Sequence, residues 1–259
     1  LLMSNKIILK KNYNDIIHLI MNKDSVNALD YELINPLADE INKIDTSKVR
    51  ALLVSSSGKH FCAGANLKKR SMMDNKETIK FLDQLNQCFN LIEDLSIPTF
   101  SLINGAALGG GTELSLCFDF RLAYKNAMMG LPEVSLGIIP GAGGTQRLPR
   151  LIGMSKAKNM IFKGDLLSAE TSLKIGLIDK VLKDGNEVEE ALLFINKIIA
   201  NAPISLKSVK QALAQGLSKS LKDGLEIERD AYLKAMNSTD KEEGIQAFID
   251  KRKPNWKGK

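Results

Sequence analysis

Histidine and cysteine are scarce in this chain. Its 259 residues hold two His (His18, His60) and three Cys (Cys62, Cys88, Cys117). Neither His belongs to a His-Glu-x-x-His pattern and no Cys-x-x-Cys pair occurs, so no metal or dithiol redox site is expected. An odd, sparse set of thiols reads as reduced cysteine in a cytoplasmic protein, not as a disulfide framework. His18 falls in a predicted strand and reads as a core or sheet-surface residue, whereas His60, beside a Gly-containing turn, reads as exposed. There is no Gly-x-Ser-x-Gly elbow and no G-x-x-x-x-G-K-[ST] phosphate loop. Two glycine runs, Gly109-Gly110-Gly111 and Gly141-Ala142-Gly143-Gly144, do not fit G-x-G-x-x-G, which disfavours nicotinamide and ATP chemistry. No cofactor is expected, and any catalysis falls to carboxylates and backbone amides.

Long apolar runs are missing too. The least charged stretch, 95–119, is broken by Pro98, Asn104, several glycines and Glu113, so no membrane span is expected. The opening Leu1-Leu2-Met3-Ser4-Asn5-Lys6 lacks an apolar signal core with a small-residue cleavage site, and Leu1 and Leu2 read as added residues or an alternative start. Aromatic residues make up only 5% and no RNA-binding signature appears, so nucleic acid is not the expected partner, although cations cluster at Lys68-Lys69-Arg70 and Lys251-Arg252-Lys253. The net charge of +6 suits a phosphate-bearing ligand equally well.

What is present is an α/β alternation. Strands are predicted over 16–21, 51–54 and 99–103, with amphipathic helices over 31–44, entered through Asp30, and 77–95. Hydrophobic residues at 44% allow a sizeable core, and the alternation implies a largely buried sheet flanked by helices. From about Ala202-Pro203 the character changes to three helices, over 206–217, 221–236 and 241–249. The chain therefore divides into a core over 1–200 and a helical module over 201–259, which is expected to pack on the core or on a neighbouring subunit.

Two glycine-rich turns carry the chemistry. Phe61-Cys62-Ala63-Gly64-Ala65-Asn66-Leu67 follows one strand, and Asn104-Gly105-Ala106-Ala107-Leu108-Gly109-Gly110-Gly111-Thr112-Glu113 leaves another and opens a short helix. Small residues let a ligand approach bare backbone N–H groups, and two such groups converging on one oxygen make an oxyanion hole. Taken singly, each run reads as a tight turn, Glu113 as a first-turn helix acid and Glu133 as a capping residue. Their co-occurrence in a chain otherwise poor in catalytic groups favours a site.

These turns, with Leu131-Pro132-Glu133, the segment Gly137-Ile138-Ile139-Pro140-Gly141-Ala142-Gly143-Gly144-Thr145-Gln146-Arg147-Leu148 and the tail from Glu243 to Asn255, resemble the enoyl-CoA hydratase/isomerase (crotonase) family over nearly the whole chain. The resemblance implies a spiral of ββα units, a C-terminal helical trimerisation module and a homotrimer or dimer of trimers. By position it implies that Ala65 and Gly110 hold the thioester carbonyl and that Glu113 and Glu133 are the catalytic acid/base pair. It further implies that Ala63, Ala65, Leu67, Lys68, Gly110, Tyr232, Phe248 and Lys251 meet CoA, which is part of the substrate. Hydration of a 2-enoyl-CoA is the implied reaction, in fatty-acid or branched-chain breakdown. The two acids favour it over Δ3–Δ2 isomerisation, which needs one. Within the family the chain also looks like methylglutaconyl-CoA hydratases, whose substrate has a distal carboxylate that Lys69 or Arg70 would meet. The alternative for these cations is a solvated helix face or the CoA phosphates, and RNA binding stays as a minor second activity. Met72, Met73, Ile138 and Ile139 are candidates for the acyl pocket. Asn66 replaces the family's usual Asp, and Lys23-Asp24 its common Arg-Pro.

Overall fold

The computed structural model describes residues 6–259, so the reading of the first five residues lies outside it. A hairpin comes first: β1 (Ile8–Tyr13) pairs antiparallel with β2 (Ile16–Met21). Helix α1 (Tyr31–Asn42) turns Leu33, Ile34, Leu37 and Ile41 inward and leads to β3 (Ala51–Ser56). The short α2 (Leu67–Arg70) precedes α3 (Asn75–Glu93), whose start is fixed by a reciprocal capping box between Asp74 and Glu77. Phe81, Leu85, Cys88, Phe89 and Ile92 form its buried stripe, at the 3–4 residue spacing of a helix packed on one side.

The middle of the chain alternates between two sheets. After β4 (Thr99–Ile103) come β5 (Ala106–Leu108), α4 (Gly110–Ser115), β6 (Phe120–Ala123), β7 (Met128–Gly130) and a 3-10 helix, Pro132–Leu136. Then follow α5 (Gly144–Ile152), α6 (Met154–Lys163), β8 (Leu166–Ser168), α7 (Ala169–Ile175), β9 (Lys180–Val181) and α8 (Glu187–Ile199). The large sheet runs β1-β2-β3-β4-β6-β9, parallel throughout except for the β1–β2 hairpin. The small sheet runs β5-β7-β8. Each pair β4/β5, β6/β7 and β8/β9 thus divides its strands between the two sheets, which is the spiral of ββα units that the resemblance implied. Strands β2 and β4 are buried at every residue, as expected where helices cover both faces of a parallel sheet.

The last helices are α9 (Pro203–Gly216), α10 (Leu221–Met236) and α11 (Thr239–Ile249). Two of them begin earlier than the apolar spacing suggested. Pro203 occupies the first turn of α9, where its missing N–H is harmless, and the Ser238 side chain caps α11 by accepting from the Lys241 N–H. Lysines tie α9 to the body: Lys207 Nζ donates to the Thr46 carbonyl (2.6 Å) and Lys210 Nζ to Asp119 (2.7 Å). Leu213, Leu217, Leu221 and Leu225 nevertheless remain exposed. No single helix among the described residues is long and apolar enough to cross a membrane.

His18 is buried in β2, where its Nε2 meets the Ser55 hydroxyl at 2.7 Å. The expectation for His60 needs correcting. It is half-buried, because its Nδ1 accepts the Ala106 N–H at 3.1 Å and ties the first glycine-rich segment to β5.

Candidate active site

Both glycine-rich turns face one cavity of about 620 Å³. The first turn is held in place by backbone pairing: the Leu29 N–H donates to the Gly64 carbonyl (2.8 Å) and the Asn66 N–H to the Leu29 carbonyl (3.0 Å). That register leaves the Ala65 N–H between them without a backbone acceptor. Opposite, Gly110 is the first residue of α4, where an N–H has no intrahelical acceptor. The two backbones are close, since a Cβ built on Gly64 would lie 3.6 Å from the Gly110 nitrogen. Two N–H donors, one of them at the N-terminus of α4, therefore border the same space.

Glu113, one turn into α4, is only 3% exposed. Its Oε1 accepts the Ala142 N–H (2.8 Å) and the Gly144 N–H (2.7 Å), the second from the start of α5. Burial pushes the Glu113 carboxyl up, while these two donors and Arg147 oppose the rise. Glu133 sits in the first turn of the 3-10 helix, 9% exposed, and its Oε2 is buried without a hydrogen-bond partner. Burial, reinforced by the Glu113 charge, pushes Glu133 up to about 7. Gly109 makes room for it: φ is +52°, and a Cβ there would stand 2.8 Å from Glu133 Oε1. One wall thus carries two buried carboxyls in unlike surroundings, one cradled by two amides and one with an oxygen lacking any donor, and burial raises the proton affinity of both.

The rest of the lining is apolar, with Phe81, Leu82 and Leu85 from α3, Pro132 and Leu136 from the 3-10 helix, and Ile138 and Ile139 from the loop after it. Arg70 is the one cation among the lining residues. Its Nη1 is buried without a partner and its guanidinium carbon lies 6.0 Å from the Phe81 ring centroid. Among the described residues no group of acidic, His or Cys side chains is placed to hold a metal ion.

A family model described as Enoyl-CoA hydratase/isomerase matches residues 11–259. The chain belongs to that family. A mouse protein named Methylglutaconyl-CoA hydratase, mitochondrial, is 40% identical over 90% of this chain and 76% of its own length. The Short-chain-enoyl-CoA hydratase of Clostridium acetobutylicum is 37% identical over 96% of each chain. Among solved structures, an enoyl-CoA hydratase from Bacillus anthracis superposes with a TM-score of 0.92 at 37% identity, covering 98% of this chain and all of its own.

Of the residues that the family resemblance singled out, the cavity brings together Glu113, Glu133, Ala63, Ala65, Leu67 and Gly110. It does not gather Lys68, Tyr232, Phe248 or Lys251. Lys68 is exposed on α2, Tyr232 and Phe248 are 67% and 86% exposed on α10 and α11, and Lys251 follows α11. Met72 and Met73 line a different hollow, beside Tyr31 and Glu77, so they leave the acyl-pocket candidates, while Ile138 and Ile139 stay. Lys69 is engaged elsewhere, with Asp30 (3.0 Å) and Glu32 (2.9 Å). The amide cradle of Glu113 is the feature that residue-by-residue reading missed. Its signal was there in a glycine run opening an amphipathic helix, a form that suits an anion-holding helix start.

Proposed function

We propose that this enzyme hydrates a 2-enoyl-CoA to the 3-hydroxyacyl-CoA. The observation that carries the reading is the convergence on one apolar cavity of two free N–H donors with two buried carboxyls, one held by two backbone amides and the other with an oxygen that has no donor. In the proposed step the thioester carbonyl accepts hydrogen bonds from the Ala65 and Gly110 N–H groups. Water attacks C3 as Glu113 takes its proton, and the electron pair of the C2=C3 bond moves toward the carbonyl oxygen as an enolate. Glu133 then delivers its proton to C2, and the proton on Glu113 returns the pair to its starting state. Two preorganised amides supply several kcal/mol to the enolate, and general acid–base transfer contributes about 10²–10⁴-fold.

A second reading, methylglutaconyl-CoA as substrate, is favoured by Arg70. A cation with an unpartnered N–H in an otherwise apolar wall suits an acyl chain that ends in a carboxylate. The relative of that name supports it, as the clostridial relative supports a short straight chain.

The exposed apolar faces of α9–α11 support assembly into a homotrimer or a dimer of trimers. In such an assembly Tyr232, Phe248 and Lys251 reach a CoA site from outside the cavity of their own chain. Three buried, unpaired thiols accord with residence in the cytoplasm.

Loss of the conjugated enoyl-thioester absorbance tests the proposal, with crotonyl-CoA and 3-methylglutaconyl-CoA assayed side by side. Hydration of either, lowered by about 10²–10⁴-fold in Glu113→Gln and in Glu133→Gln, is the expected result. A strong preference for the branched acid selects the second reading. Turnover of neither sinks hydration.

A further inference from the structure

The loop that cradles Glu113 is itself gripped from behind. Arg147, in the first turn of α5, donates through Nη1 to the Ala142 carbonyl (3.1 Å). Its Nη2 donates to Asn90 Oδ1 (2.8 Å) and Glu93 Oε2 (2.6 Å), and its Nε to the same Glu93 oxygen (3.0 Å). Asn86 Nδ2 donates to the Gly141 carbonyl at 3.1 Å. Residue 142 is therefore held on both sides: its N–H points to Glu113 and its carbonyl to Arg147. Gly143 permits this, because at φ +98° a Cβ there would overlap the guanidinium. Arg147 does not line the cavity, its side chain is 15% exposed, and no step of the proposed reaction uses it.

We propose that Arg147 is a positioning residue, which fixes the Ala142 and Gly144 N–H groups on Glu113 Oε1 and so sets the orientation and charge state of the base. The arrangement works as a relay from α3 to α4. Glu93 and Asn90 fix the plane of the guanidinium, the guanidinium fixes the Ala142 peptide, and that peptide fixes the carboxylate. A single swing of the 142–144 segment would remove both donors from Glu113 at once, since both lie on the same short stretch. The charged and titratable groups facing this relay are Glu113 from α4, Cys117 from the turn after it, Cys88 and Glu93 from α3, and Glu133 from the 3-10 helix. Arg147 favours the anionic form of Glu113, and Glu93 is ion-paired with the same guanidinium.

The inference rests on Glu113 acting as the base, and two variants test it with opposite signs. Arg147→Gln removes the cation, so the acidic limb of the kcat/KM profile moves up by about one pH unit. In that variant kcat falls roughly tenfold to hundredfold with little change in KM, because the loss is of alignment and not of substrate contact. Glu93→Gln keeps an acceptor for the guanidinium but removes its neutralising charge, so the acidic limb moves down. Arg147→Lys, which keeps the charge, returns the limb to its wild-type position while kcat stays lowered. Titration of the Glu113 carboxyl by 13C NMR, assigned with a Glu113→Gln sample, reads the same shifts without turnover. A limb and a resonance that stay put in both variants, with kcat following only the melting temperature, overturn the inference. Wild-type enzyme that hydrates neither thioester, while the resonance moves as stated, overturns the hydratase reading and leaves the relay standing.

Discussion

Replacing Glu133 by Gln stabilises the fold at alkaline pH while lowering activity. In the unfolded chain this carboxyl titrates near its ordinary value of 4.5, and in the folded chain near 7. Below 4.5 both states hold the proton and the group is neutral in its effect. Between 4.5 and 7 the folded state keeps a proton that the unfolded state has released, so stability falls as pH rises through this window. Above 7 the whole difference is lost. A shift from 4.5 to about 7 corresponds to about 3 kcal/mol at most. Solvent on the cavity side of Glu133 reduces this to about 2 kcal/mol. Gln keeps the shape of the protonated acid and never ionises, so it escapes that loss.

Thermal unfolding of wild type and Glu133→Gln at pH 5 and pH 8 reads this directly. The variant melts close to wild type at pH 5 and roughly 4–8 °C higher at pH 8, given the usual scaling for a chain of this size. Hydration by the same variant falls by about 10²–10⁴-fold, since no proton is available for C2. In wild type kcat/KM declines as pH rises through about 7, and the variant's residual rate lacks that decline. An equal melting difference at both pH values, or a less stable variant at pH 8, refutes the reasoning, because the destabilising charge would then not lie at Glu133.

Three further substitutions follow from the same geometry. Gly109→Ala strains a φ of +52° by about 1–2 kcal/mol and pushes on Glu133 Oε1, so kcat drops more than KM rises; an intact kcat would separate the turn from the acid. Arg70→Met raises the KM for 3-methylglutaconyl-CoA by about 10–100-fold, the value of a charge-assisted hydrogen bond, and leaves crotonyl-CoA unchanged. A parallel loss on both substrates places Arg70 at the CoA end instead. Asn66→Asp sets a second carboxylate against Asp30, 3.2 Å from the present amide nitrogen, and destabilises by about 1–2 kcal/mol at pH 7. The repelling pair holds a raised proton affinity, so the loss shrinks as pH falls toward 4; a deficit independent of pH argues against charge as its cause.

The long apolar elements were legible because burial and periodicity coincide in them. The α3 stripe from Phe81 to Ile92 and the strands at 16–21 and 99–103 follow directly from side-chain pattern. The strand at 51–54 extends two residues further, through Ser55 and Ser56, because Ser55 meets His18 inside the sheet and Ser56 Oγ donates to the His60 carbonyl. Strands β5, β7, β8 and β9 have two or three residues each, too few for a period, and owe their existence to neighbours distant in sequence. In the site, Glu113 announces itself through its own glycine run, but the amides that hold it come from 29 and 31 positions later. Lys69 and Arg70 are indistinguishable as neighbouring cations. The roughly 100° turn per helical residue in α2 separates them, sending Lys69 to Asp30 and Glu32 and Arg70 to the cavity wall.

Two departures from the family pattern, far apart in sequence, turn out to be one device. Lys23 donates to the Ala28 carbonyl (2.9 Å) and to Asp30, while Asp24 Oδ1 accepts the Val26 and Asn27 N–H groups and so shapes the turn that follows. Asp30 also receives Lys69 and the Asn66 amide, and the other end of that amide caps α2 by accepting the Lys69 N–H at 3.2 Å. Burial alone would raise the Asp30 carboxyl, and these donors together hold it below its usual range. Two cations, Lys23 and Lys69, then face two carboxylates, Asp30 and Glu32, and a neutral residue at 66 preserves the balance. In this chain an acid at 66 would oppose Asp30 directly, one residue after Ala65. The Asn is therefore the consistent partner of Asp30 and Lys69, joining the first glycine-rich turn to the start of α1 and capping α2 at once.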